Sequence, residues 1–302
     1  MLPKHIILTT DFSPEAQRSF APVSSFAKSI GAKVTLLHSV QSLIAPQQEG
    51  QLETPIGSAG SQTERKMADH ALRKQAEALP EDLNVELQLV SATNVASSIA
   101  DFAQEHGADV IAMSTHGRSG LRRFMLGSVA EGVLRHARTP VLCFPPRDLD
   151  RVDEQRDAKE VLLTTDLSDE SMRAFAPVVE LARALNWRVT MLHVVKELAV
   201  IPSSGHMAPV ACPQDVRGEI AAARKTIHGQ CDSFDSGLEI EIEVISHLTP
   251  SDGIVKFANE HKVDLIAFST HGRSGFRRLA LGSVAEQVLR HSSIPILCFP
   301  RA

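Results

Sequence analysis

A run of 23 residues occurs twice in this 302-residue chain, and the two copies start 155 residues apart. Residues 114–136 read STHGRSGLRRFMLGSVAEGVLRH, and residues 269–291 read STHGRSGFRRLALGSVAEQVLRH, with nineteen positions identical. The same offset holds at the start of each half, where TTDFS at 9–13 returns as TTDLS at 164–168. The duplication points to two domains of about 150 residues each, long enough for each to bury its own core.

Each half alternates short β-branched runs with longer helical patterns, which argues for a parallel sheet covered by helices. In the first half, 5–10, 32–40, 85–91, 108–115 and 139–144 read as strands. Helices are expected at 14–29, 62–79, 95–106 and 128–137. Ser13 is placed to cap the first of them, with Pro14 in its first turn. Ala68, Leu72, Ala76 and Leu79 share one side of the second helix, and Val95, Ile99, Phe102 and Ala103 face the sheet from the third. Val129, Val133 and Ala137 recur at helical spacing in the fourth. The second half repeats the order, with strands near 160–165, 188–195, 239–246, 263–270 and 294–299. Gly107 is suited to end the third helix, and Lys262 takes its place in the second copy, so a different turn is expected there. The fold class is therefore α/β: two tandem Rossmann-like domains, each a parallel five-stranded sheet with helices on both faces. Domain one covers 1–147 and domain two 156–302. Between them, 145–159 carries nine charged residues with almost no apolar anchor and reads as the linker.

The repeated run leaves a strand and enters a helix. Gly117 and Gly120 would let backbone approach a bulky anion. Gly127 and Ser128 stand at the start of the next helix, where free amides and a hydroxyl can hold phosphate oxygens. Gly272, Gly275, Gly282 and Ser283 have the same roles in the second copy. The pattern is neither a Walker A sequence nor a dinucleotide fingerprint. Ser128 and Ser283 could equally be helix caps. Arg118, Arg122 and Arg123, mirrored by Arg273, Arg277 and Arg278, suit either phosphate or a solvated basic loop. Asp11 and Asp166 follow the first strand of each half, close to the edge where α/β sheets bind ligands. Each could accept from a ribose hydroxyl or an adenine amine, or stabilise the neighbouring helix start. His116 and His271 lie beside the cradle, but no nucleophile and orienting acid declare themselves, so no catalytic residue is assigned. His38 and His193 read as structural or as packing beside a base. The irregular stretches 41–61 and 196–215 follow the second strand of each half and are open between lid and tolerated insertion.

Hydrophobic residues make up 43% of the chain and charged residues 22%, with a net charge of −5. That balance gives no general attraction to nucleic acid or anionic membrane. No apolar run reaches 18 residues, the length that reads as a membrane span, and the start meets Asp11 before a signal-peptide core could form. Cys143, Cys212, Cys231 and Cys298 form no metal pattern and no disulfide framework, which fits a reducing cytoplasm. Cys143 and Cys298 are equivalent in the repeat and are expected as buried thiols.

Taken together, the TTD start, the HGRSG loop, the LGSVAE segment and the final apolar strand resemble the universal stress protein family in its tandem-domain form. The resemblance covers both halves. It implies a Rossmann-like sheet and an internal pseudo-dimer, with further dimerisation open. Nucleotide-binding members carry a Gly-x2-Gly-x9-Gly-Ser/Thr motif. Here Gly117, Gly127 and Ser128 match it in the first half, and Gly272, Gly282 and Ser283 in the second. Ser114 and Ser269 stand where the first glycine would be, and serine restricts the backbone more. The resemblance also places Asp11 and Asp166 near adenine or ribose, and the backbone of Val40 and Val194 against adenine. It implies a stress-response sensor that binds ATP, with or without Mg²⁺, and acts on a regulatory protein partner. The alternatives are a nucleotide-independent scaffold or small-ligand binder, and an enzyme that cleaves ATP weakly.

Overall fold

The computed structural model describes residues 2–41, 58–116, 126–145, 159–197, 213–232, 237–270 and 281–300. Contacts divide the chain into two compact units, Pro3–Pro146 and Arg147–Ala302. In the first, strands β1 (His5–Thr9), β2 (Lys33–Gln41), β3 (Val85–Ala92), β4 (Val110–Ser114) and β5 (Val141–Phe144) alternate with helices α1 (Pro14–Gln17), α2 (Phe20–Ile30), α3 (Ser58–Ala76), α4 (Val95–Glu105) and α5 (Ser128–His136). The second runs β6 (Glu160–Thr164), a 3₁₀ turn at Ser171–Ala174, α6 (Phe175–Leu185), β7 (Arg188–Lys196), α7 (Pro213–Asp232), β8 (Ile240–His247), α8 (Pro250–Glu260), β9 (Leu265–Ser269), α9 (Ser283–His291) and β10 (Ile296–Phe299).

The α/β class stands, but the expectation of two separate five-stranded parallel sheets is corrected. The ten strands form one continuous sheet in the order β3-β2-β1-β4-β5-β10-β9-β6-β7-β8. The physical reason lies in β5 and β10. VLCF and ILCF are buried at every position, and a fully apolar strand of this kind is poorly suited to an open hydrogen-bonding edge. Their cysteines, Cys143 and Cys298, are fully buried thiols, as expected. Within the first unit, β3-β2-β1-β4-β5 pair in parallel throughout, and the chain reverses its direction of winding between β1 and β4. The second unit repeats the arrangement around β6 and β9.

The first expected helix, 14–29, is interrupted. Ser19 N–H bonds Ala16 C=O in a tight turn at 3.2 Å, and α2 then restarts at Phe20. Pro22 explains the break, since it has no N–H for the Arg18 carbonyl one turn earlier. Pro177 does the same in the second unit. Ser13 caps α1, accepting from Ala16 N–H at 3.1 Å, with Pro14 in the first turn as expected. The expected stripes on the later helices are mostly buried: Leu72, Ile99, Ala103 and Val133 are closed to solvent, but Val129 is exposed.

A second correction concerns the end of α8. Lys262 was expected to close its turn differently from Gly107. Instead both adopt left-handed backbone, at φ 60° for Gly107 and 53° for Lys262. The turn bonds also match: Ala108 N–H to Ala103 C=O and Val263 N–H to Ala258 C=O, both 2.9 Å. The junction from helix to strand dictates the turn, and the lysine accepts the strain.

Candidate functional site

The winding reversal between β1 and β4 opens a crevice at the carboxyl ends of the strands, where open α/β sheets bind ligands. In the first unit this is a cleft of about 290 Å³, at the lower bound for small-molecule sites. Asp11 lines it from the end of β1, Ser39 from β2, Ser114 from β4, and Gly127 and Ser128 from the start of α5. The sequence separates these residues by up to 117 positions, and the fold gathers them.

Asp11 precedes a residue with strained backbone. Phe12, next to it, has φ 67°, a left-handed conformation rare for a bulky residue. Side chains hold it there: Phe12 N–H donates to Thr10 Oγ1 and Ser13 N–H to Asp11 Oδ1, both at 3.0 Å. Thr10 in turn donates to Gln75 of α3. Leu167 repeats the conformation at φ 67°, with Ser168 N–H on Asp166 Oδ1 at 3.0 Å. Strain held by a surrounding network is a mark of functional sites. Asp11 thus supports the helix start through one oxygen while also facing the cleft.

At α5 the N-cap is Gly127, with no side-chain cap bond, so Ser128 is the first helical residue and its hydroxyl does not cap the helix. Gly282 and Ser283 are arranged identically. The glycine has a packing reason. Its φ is an ordinary −62°, but a Cβ there would lie 3.0 Å from the Thr115 carbonyl oxygen. Gly127 N–H bonds that same oxygen at 2.8 Å. The first-turn amides of α5 and the Ser128 hydroxyl consequently face a crevice rather than a side-chain cap, a geometry suited to an anion. Ser114 Oγ accepts from His116 N–H at 3.4 Å.

His116 Nδ1 is 3.0 Å from Thr115 Oγ1. His38 and His193 are fixed by backbone, at 2.7 Å from Thr10 O and 2.8 Å from Thr165 O; each must donate from Nδ1, since a carbonyl only accepts. The His38 ring also packs on Phe12, with centroids 4.0 Å apart. Among the described residues, no group of three or more His, Cys, Asp or Glu could hold a metal ion. No described helix is long and apolar enough to cross a membrane.

Gly117, Gly120, Gly272, Gly275, His271 and the six loop arginines lie outside the described residues, as do most of 41–61 and 196–215. Val40 is half-buried, paired with Ser91, and is not among the described residues lining the cleft. Val194 is buried and pairs with Ile245, the register of Ser39 with Val90. Val195 is therefore the structural counterpart of Val40, and Val194 that of Ser39. Sequence reasoning missed Ser39 and the strained Phe12. The signal for Ser39 was the mismatch between LLHSV and MLHVV in otherwise parallel strands.

The universal stress protein family model matches the chain twice, over residues 3–145 and 158–300. A universal stress protein of Mycobacterium tuberculosis is 26% identical over 294 residues, covering 97% of this chain and 95% of its own. One from Methanocaldococcus jannaschii is 29% identical over 141 residues, 46% of this chain and 80% of its own. Among solved structures, a universal stress protein from Archaeoglobus fulgidus covers 99% of this chain and 98% of its own at 20% identity, with a TM-score of 0.66, which speaks for the fold. With both halves matched by the family model and the duplicated strand–loop–helix described above, the chain belongs to the universal stress protein family and carries two of its domains.

Proposed function

We propose that this stress protein is an adenine-nucleotide-binding regulator and that its N-terminal cleft is the principal site. The observation that carries this reading is the uncapped start of α5. Ser128 and the first-turn amides face the same crevice as Asp11, so phosphate and ribose recognition meet at one strand edge. Ser114 Oγ and Ser39 Oγ add further polar groups to that wall. The donor set fits a nucleotide, with hydroxyl and amides for phosphate and a carboxylate for ribose. Ser128 and the α5 amides would hold phosphate, and any Mg²⁺ would be carried in with it. Asp166, Ser269, Gly282 and Ser283 make the C-terminal half a second candidate. Nucleotide signals only if it binds one conformation better than another, and the readout would then be affinity for a protein partner.

A nucleotide-independent scaffold is favoured by one observation: the close approach to Thr115 accounts for Gly127 without any ligand. Calorimetric titration of the full chain with Mg-ATP separates the two. Saturable binding weakened roughly tenfold by Ser128→Ala would match loss of a charge-assisted hydrogen bond. No binding by demonstrably folded protein would leave the scaffold.

A further inference from the structure

We propose that Ser39 reads the base in the N-terminal cleft as an obligate hydrogen-bond acceptor, selecting adenine over a base without a 6-amino group. The inference rests on the nucleotide reading above. It follows from counting protons. Ser98 Oγ of α4 lies 2.9 Å from the Val95 carbonyl oxygen, which can only accept, so the single Ser98 hydroxyl proton is directed there. Ser98 Oγ also lies 2.8 Å from Ser39 Oγ. Either hydroxyl could donate this bond by distance alone; with the Ser98 proton on Val95 C=O, the donor is Ser39. Ser39 is then left with lone pairs alone. It is 9% exposed and lines the cleft beside Val95 and Ile99.

A nearly buried acceptor in a ligand wall calls for an N–H donor, and leaving it unmatched is costly. In an adenine nucleoside the base has one donor group, the 6-amino group. Hypoxanthine presents a carbonyl oxygen at that position, setting acceptor against acceptor. The C-terminal half lacks the device. Val194 replaces Ser39, and Gly253 replaces Ser98. A Cβ on Gly253 would lie 3.0 Å from Val194 Cγ1, so the valine uses space that the second serine takes in the N-terminal half. Packing is conserved while the acceptor is lost. Base discrimination is accordingly a property of the N-terminal half.

The test is calorimetric titration of the full chain with Mg-ATP and with Mg-ITP, in the wild type, Ser39→Ala and Ser98→Ala, each checked for native circular dichroism. Wild type is expected to bind ATP roughly tenfold more tightly than ITP. Ser39→Ala should bring that ratio close to one by weakening ATP. Ser98→Ala releases the Ser39 proton, so ITP should gain roughly threefold while ATP is retained, because the hydroxyl can still accept. A packing role alone would move both nucleotides together. If ATP binds but the ratio is unchanged in both variants, the Ser39 assignment is overturned and the nucleotide reading survives. If folded wild type binds neither nucleotide, the nucleotide reading falls and this inference with it.

Discussion

Gly132→Ala adds one methyl group where two helices meet at the cleft. A Cβ built on Gly132, in α5, falls 2.5 Å from the Ala96 Cβ of α4. Carbon atoms in contact sit about 3.5–4.0 Å apart, so the helices must part by about 1 Å. Overpacking of this kind costs about 1–3 kcal/mol. Helix propensity acts the other way, since alanine is favoured over glycine by about 1 kcal/mol in a helix interior. The net expectation is a loss of about 0–2 kcal/mol. Ala96→Gly in the same chain removes the facing methyl, so the double variant should show a restoring coupling of about 1–3 kcal/mol. Urea unfolding measures the loss, and hydrogen exchange of the α4 and α5 amides assigns it to this helix pair. Val95 and Ile99 line the cleft from α4, and Ser128 to Ala130 from α5, so ligand affinity should fall in step. If Gly132→Ala stabilises the protein by about 1 kcal/mol, propensity alone governs the site and the close-approach argument is refuted.

Lys262→Gly relieves left-handed strain at φ 53° and should stabilise the protein by about 1 kcal/mol, seen as a higher Tm. Ser13→Ala removes the α1 cap and should cost about 1 kcal/mol, read by urea unfolding. His5 is buried, with Nε2 2.8 Å from Thr35 Oγ1. Burial first, then the Lys33 charge, lower its pKa below the ordinary 6.5, against the opposing pull of the His106 carbonyl, Asp109 and Glu86. The unfolded chain therefore takes up this proton first. The His5 contribution is fully present above pH 6.5 and is lost as pH falls through the lowered value. Acid titration of stability should show this loss in wild type and not in His5→Gln; equal slopes would exclude His5 as the source.

The elements were legible because each half carries clear periodicity bounded by capping residues, as Ser13 shows at α1. The break before Pro22 was missed, because 14–29 reads as one helix and the proline alone did not divide it. The single sheet was not legible. Nothing in VLCF or ILCF names a pairing partner, since strand apolarity encodes burial and not the identity of the neighbour. At the site, Asp11, Ser114, Gly127 and Ser128 come together because strand ends and a helix start converge at a winding reversal that topology rules anticipate. The acceptor character of Ser39 lies beyond sequence reading, because it depends on where the proton of Ser98, 59 residues away, is directed.

The excursion between β4 and α5 is closed at its neck by one backbone bond, Gly127 N–H to Thr115 C=O, and its counterpart by Gly282 N–H to Thr270 C=O at 2.9 Å. The bond ties each helix start directly to the end of the preceding strand, across the segment that separates them in sequence. Between those ends, 116–126 and 271–281 agree at eight of eleven positions, while β3 and β8, with equivalent places in the sheet, share only two of eight residues, VELQLVSA against IEIEVISH. Grafting a foreign segment between the two ends of this neck would separate the chemistry of the repeated loop from the fold that presents it.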